Sequence, residues 1–111
     1  MARGDFEVLW TRTAEEDLKG IVAWIAADSV DEALRVLERT RTAAVALGSL
    51  PERSRQVPEL KEQGVGLYRE IVVDPWRMLY RIVDRKVHVL GVFDSRRNLE
   101  DLLLERLLRQ P

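Results

Sequence analysis

The stretch Tyr68-Arg69-Glu70-Ile71-Val72-Val73-Asp74-Pro75-Trp76-Arg77-Met78-Leu79-Tyr80-Arg81-Ile82-Val83 decides the fold. From Val65 onward the apolar spacing has a period of two. Val65, Leu67, Ile71 and Val73 fall on one face of a strand, and Trp76, Met78, Tyr80 and Ile82 on one face of the next. Asp74-Pro75 supplies a tight turn in which proline presets φ. Such a turn fixes a register: Val73 opposite Trp76, Ile71 opposite Met78, Arg69 opposite Tyr80. One face of the hairpin then carries Leu67, Arg69, Ile71, Val73, Trp76, Met78, Tyr80 and Ile82 and is expected to be core. The other carries Tyr68, Glu70, Val72, Arg77, Leu79, Arg81 and Val83 and is expected to be solvated or covered by a partner. Arg69, the odd member of the core face, is expected to pair with a carboxylate or backbone carbonyls at the sheet margin, because an unpaired buried charge is costly. Arg77 and Arg81 with Glu70 read either as a cross-strand charge cluster or as a contact surface.

Outward from the hairpin, Asp84-Arg85-Lys86 turns the chain into a third strand, Val87 to Phe93, whose mostly apolar composition suits a central position. His88 within it is expected to be a hydrogen-bonded sheet residue rather than a base. Asn98 can cap a final helix bearing Leu99, Leu102, Leu103, Leu104, Leu107 and Leu108. Toward the N-terminus, Phe6 to Trp10 suits a short strand. Thr13 with Glu16 gives a capping box for a helix with Ala14, Leu18, Ile21, Val22 and Ile25 on one face. Ser29 with Glu32 repeats the signal before a second helix with Ala33, Val36, Leu37, Thr40, Ala44 and Leu47, which stops at Gly48 before Pro51. Residues 51–64 form a charged, proline-punctuated loop with at most one helical turn, too short to separate domains. The order β-α-α-β-β-β-α describes one α+β domain over residues 1–111: a mostly antiparallel four-stranded sheet against a helical hairpin, with a C-terminal helix.

Composition narrows the chemistry. The 111 residues carry 18 Lys+Arg against 19 Asp+Glu, a formal charge of −1, which argues against a free-standing nucleic-acid binder. With no Cys and one His, thiol catalysis, cysteine-ligated zinc and a His-rich metal site are excluded, so neither metal nor cofactor is expected. No apolar run approaches the ~20 residues of a membrane helix and no signal-peptide pattern opens the chain, so no membrane partner is expected and the expected location is cytoplasmic. Fifteen of the 18 basic residues are Arg, which supplies forked donors for phosphate and carboxylate. Arg96-Arg97, before the final helix, oppose its dipole, a local inconsistency of the kind that can mark function.

The chain resembles the RelE/ParE superfamily of bacterial type II toxin–antitoxin toxins. The resemblance rests on Val8-Leu9-Trp10-Thr11, Ala14 to Leu18, Trp24-Ile25, Leu50-Pro51-Glu52-Arg53, Tyr68-Arg69-Glu70, Trp76 to Ile82, Val89-Leu90-Gly91-Val92 and Arg96-Arg97, in that order and spacing. It implies a growth-inhibiting, plasmid-stabilising type of toxin neutralised by a cognate antitoxin. An apolar groove beside the first two helices would suit an antitoxin helix. Trp24, about 110° off the main stripe at ~100° per residue, is the residue to watch there, unless it packs between the helices.

The two branches of the superfamily differ in target. RelE-like members cut messenger RNA on the ribosome without a metal, through attack of a 2′-hydroxyl on the neighbouring phosphate. ParE-like members inhibit DNA gyrase. By resemblance, Arg77 and Arg97 match nuclease arginines and would be catalytic if the chain cut RNA. Tyr68 and Glu70 stand where such nucleases carry lysines, and Asn98 to Gln110 contain no Tyr or His. The expectation is therefore a ParE-like gyrase inhibitor, with no direct DNA binding by the toxin alone and a ribosome-dependent nuclease as the alternative. Its target-contact face would comprise Tyr68, Glu70, Arg77, Arg81, Arg96 and Arg97, approached by an exposed final helix that the core does not need.

Overall fold

A computed structural model describes residues 5–109. Strand β1 (Glu7–Trp10) leads into helices α1 (Arg12–Ala26) and α2 (Val30–Ala46). A 3-10 turn (Pro51–Arg53) and a short helix α3 (Pro58–Glu62) follow, then β2 (Tyr68–Val73), β3 (Trp76–Val83), β4 (Lys86–Asp94) and α4 (Leu99–Arg109). The sheet order is β1-β4-β3-β2, with β1 parallel to β4 and the other pairs antiparallel. The apolar third strand of the sequence reading, β4, is indeed central.

The register expected from the Asp74-Pro75 turn is the one found: Val73 faces Trp76, Ile71 faces Met78 and Arg69 faces Tyr80. Val73, Trp76, Met78, Tyr80, Val87, Val89 and Val92 form the core with Ala14, Val36 and Ala44 of the helical hairpin. Leu67 departs from its assignment. It precedes β2 and is 60% exposed, because the strand begins only at Tyr68. Arg69 is tethered as expected, its Nη1 donating to the Ser54 carbonyl at 2.6 Å.

The helix signals hold in part. Ser29 caps α2, its hydroxyl accepting from Glu32 N at 3.1 Å, and the Asn98 side chain accepts from Asp101 N at 3.2 Å before the first turn of α4. The α1 cap is Thr11 rather than Thr13: its hydroxyl accepts from Ala14 N at 3.1 Å, and the helix starts two residues earlier than the capping box suggests. Thr11 N donates to Val89 O, so the same residue ends the β1 pairing and opens the helix.

The opposite face of the sheet corrects the expectation that it is solvated or covered by a partner. The chain covers it itself: Val57, Leu79, Phe93, Leu99 and Leu102 form a second core, with Leu60, Tyr68 and Leu103 against it. The final helix is therefore needed by the fold, contrary to its reading as a free approach surface. The side chains of Leu104, Leu107 and Leu108 lie outside the described residues. Arg106 fastens α4, its Nη2 bonding to both Asp17 oxygens at 2.6–2.7 Å and its guanidinium lying 4.9 Å from the centre of the Phe93 ring. The same Asp17 carboxylate accepts from Val92 N at 3.0 Å, beyond the point where β1 stops supplying partners to β4.

Gly91 makes this second core possible. A Cβ there would lie 2.5 Å from Phe93 Cζ and 3.1 Å from each Cε, inside van der Waals contact. Gly91→Ala must displace a ring packed under α4, and should cost roughly 1–3 kcal/mol of stability in urea denaturation.

Candidate functional site

The residues expected to contact a target fall into three separate places. Glu70 and Arg77 are buried together, Tyr68 and Arg81 face each other farther along the sheet, and Arg96 and Arg97 follow β4 near the Asp74-Pro75 turn. Arg81 is four residues beyond Arg77, about 13 Å along the strand. The arginines do not make one patch.

The Glu70–Arg77 pair is the centre of a charge network. Glu70 has no exposed side-chain surface and Arg77 only 8%. Arg77 Nε donates to Glu70 Oε1 at 2.7 Å, while its two terminal nitrogens fork onto Glu59 of α3 at 2.7 and 2.8 Å. Arg55 Nε donates to the other Glu70 oxygen at 2.6 Å. The fork on Arg77 holds the Glu59 carboxyl down at about 2, below its ordinary 4.5. In return Glu59, then Glu70, raise the Arg77 pKa above its ordinary value. The network occupies both forked edges through which Arg77 would take a phosphate. The sequence reading had Glu70 near Arg77 but missed Glu59 and Arg55. Their separations, 18 and 15 residues from their partners, carry no periodic signal.

Arg96 is exposed but engaged. Its Nε and Nη2 bond to Asp94 at 3.0 and 2.7 Å, and this contact lowers the Asp94 pKa to about 2. Arg97 is exposed, its N–H donating to Asp94 O at 3.0 Å. His88 is a β4 residue between Leu9 of β1 and Arg81 of β3. Among the described residues, no group of three His, Cys, Asp or Glu side chains is placed to hold a metal ion, and no helix is long and apolar enough to cross a membrane.

A groove of about 740 Å³ runs along the β1 edge, beside the helical hairpin. It is bounded by Val8, Leu9 and Trp10 of β1, Leu18, Val22 and Ala23 of α1, and Leu37, Ala44 and Val45 of α2, with Glu15, Lys19 and Arg41 as its charged lining. β1 is an edge strand. Glu7 N and Thr11 N donate into β4, to Arg85 O and Val89 O, so strand alternation turns the N–H groups of Val8 and Trp10 outward. Trp24 does not pack between the helices; it is 73% exposed, as are Val30 and Leu34 to a lesser degree near the same end of the hairpin.

Removing Arg77 leaves Glu70 buried with only Arg55 to balance it. Arg77→Ala should therefore destabilise the fold by roughly 3–5 kcal/mol in denaturant titration, so a loss of toxicity in that variant reports folding before chemistry. Glu59 has a folded pKa below its unfolded value. Its stabilisation is complete above about pH 4.5 and is lost as pH falls toward 2. Glu59→Gln should flatten that acid limb in pH-dependent melting, at the cost of lower stability at pH 7.

The comparisons with known proteins agree with this architecture. A search of curated proteins gave no match. The solved structure titled "Chromosomal ParDE TA system from P. aeruginosa" superposes with a TM-score of 0.66 at 17% identity, covering 82% of this chain and 97% of that one, a likeness of fold. The family described as "ParE toxin of type II toxin-antitoxin system, parDE" matches residues 8–99, from β1 to the start of α4. The chain belongs to the ParE toxin family of type II toxin–antitoxin systems.

Proposed function

We propose that this toxin acts as a protein inhibitor of DNA gyrase rather than as a nuclease, and that a cognate antitoxin neutralises it. The observation that carries the first part is the state of Arg77. A metal-free ribonuclease must present cations to the phosphate whose charge grows in the transition state. Here the arginine that matches a nuclease residue is buried and forked onto Glu59, with Glu70 on its remaining edge. Two carboxylates beside the reaction centre would repel the substrate phosphate. The formal charge of −1 adds no compensating long-range attraction for RNA.

The antitoxin reading rests on the groove. Its apolar walls suit an amphipathic helix, and the outward N–H groups of the β1 edge suit an extended segment beside it. Val45 lines it while 76% exposed, and Trp24 stands exposed on the same hairpin.

The gyrase reading is tested with purified gyrase: the toxin should block supercoiling of relaxed plasmid and induce the SOS response in cells. Undiminished supercoiling together with cleaved messenger RNA in a ribosome assay would refute it. Val45→Glu should leave stability within about 0.5 kcal/mol, since the site is exposed, yet weaken antitoxin binding at least about tenfold by calorimetry. Trp24→Ala should act in the same direction.

A further inference from the structure

One row of side chains crosses the entire sheet on the α4 face. Leu9 of β1 is opposite His88 of β4, His88 is opposite Arg81 of β3, and Arg81 is opposite Tyr68 of β2. Direct cross-strand partners project from one face with Cβ atoms ~4.5–5.5 Å apart, so a phenol, a guanidinium and an imidazole lie side by side. The neighbouring rows have a different character. On one side, Glu70, Leu79 and Gly91 form a buried row whose leucine belongs to the second core, with Glu70 paired to Arg55 and Arg77. On the other, Val83 is opposite Lys86, and Lys86 is opposite Glu7, an ammonium beside a carboxylate.

The strip itself holds a cation, two further hydrogen-bonding groups and no carboxylate. Arg81 is exposed, and among the described residues neither Arg81 nor His88 has a side-chain hydrogen bond or ion pair. Four other arginines have carboxylate partners: Arg77 and Arg55 on glutamates, Arg96 on Asp94 and Arg106 on Asp17. Val83, two residues from Arg81 on the same face, is 39% exposed, and Leu9 closes the other end of the row.

We propose that Tyr68, Arg81 and His88 form the contact by which the toxin grips its target, and that the occupant is an acidic side chain flanked by apolar residues on a target protein. The inference rests on the reading of the target as a protein, and it names the part of the toxin that does the gripping. One free guanidinium matches one carboxylate, which it can take through two parallel hydrogen bonds. A nucleic-acid backbone calls for successive cations along its track, whereas the strip itself offers one guanidinium. Val83 and Leu9 would exclude water around the pair and strengthen it, the pattern of an arginine and tyrosine hot spot.

The test uses the full chain carrying Arg81→Ala, Arg81→Lys or His88→Phe. Antitoxin affinity within twofold of wild type confirms the fold of each variant. Association with purified gyrase, read on a biosensor, should fall about 30-fold in Arg81→Ala and remain well below wild type in Arg81→Lys, which cannot fork. His88→Phe should give a smaller loss. Growth arrest on induction should weaken in parallel. Full growth arrest by Arg81→Ala would overturn the proposal. So would tight binding of a 20-nucleotide single-stranded RNA that Arg81→Ala abolishes, because the strip would then serve a phosphate backbone. If wild type arrests growth without binding gyrase, the gyrase reading alone falls. Loss of arrest in Arg81→Ala, with antitoxin and RNA binding unchanged, would then still support the strip as a protein contact.

Discussion

A carboxylate with no exposed surface stands on the outermost strand of the sheet, and the elements around it are arranged to give it partners. Glu70 on β2 takes Arg77 from the next strand and Arg55 from the segment before it. Arg77 then takes Glu59, which fixes α3 over the sheet. Glu70 and Arg77 are buried and share their partners, so losing either leaves the other's charge under-compensated and the network behaves as a unit. The segment bearing Arg55 is also held by main-chain bonds along β2: Glu70 N to Arg55 O and Val57 N to Tyr68 O. Arg69 bonds to Ser54 O, and the Tyr80 hydroxyl to Pro51 O. The first half of the β2 edge, Tyr68 to Glu70, is thereby closed, while β1 keeps an outward-facing edge.

The opposite margin uses the same physical device with different residues. β1 pairs with β4 only as far as Val89, so Val92 N lacks a strand partner and takes the Asp17 carboxylate instead. That carboxylate also holds Arg106, which lies over Phe93, and Phe93 in turn occupies the space left by Gly91. A satisfied backbone donor, an ion pair and a ring contact thus converge to seat α4. Two margins are covered in this way, by α3 and by α4. The row from Tyr68 to Leu9 runs past them and keeps an exposed guanidinium at its centre.

The backbone architecture was largely legible because its signals are local. Period-two spacing in β2 and β3, the Asp74-Pro75 turn, and Ser29 and Asn98 as caps each act over a few residues, and the register followed from the turn. What stayed hidden involves pairs distant in sequence. Arg77 with Glu59 and Asp17 with Arg106 have no periodic signature, since either partner alone reads as an ordinary surface charge. Missing them led to the mistaken reading of the α4 face as open. The two leucine-bearing turns of α4 were visible, but what they covered was not. Leu79 and Val72 on the outer face of the hairpin were the available hint that this face needed a cover. Within the candidate site, the sequence paired Tyr68 with Arg81 through the register but grouped them with Arg77, Arg96 and Arg97, which the fold separates.

The near-balance of charge takes on a different meaning once the pairs are known. A sum of −1 suggests a surface with little field, but it says nothing about where charge is free. In this fold, several arginines are internal ligands of carboxylates, and those ion pairs maintain the covers over the sheet. Arg77 and Arg106, held this way, are not available to follow a polyanion. The molecule does retain an apolar groove beside an open strand edge and an exposed arginine between a tyrosine and a histidine. Both features suit the proposed recognition of proteins, where shape and a small number of desolvated contacts provide most of the affinity. The groove and the arginine row meet at Leu9, and Arg81 lies two strands away from it, which bears on the proposed neutralisation. A partner in the groove would not need to cover Arg81 directly. It could inhibit by bulk alongside the edge, or by holding the toxin away from its target, so that antitoxin affinity and target affinity can be altered by different residues.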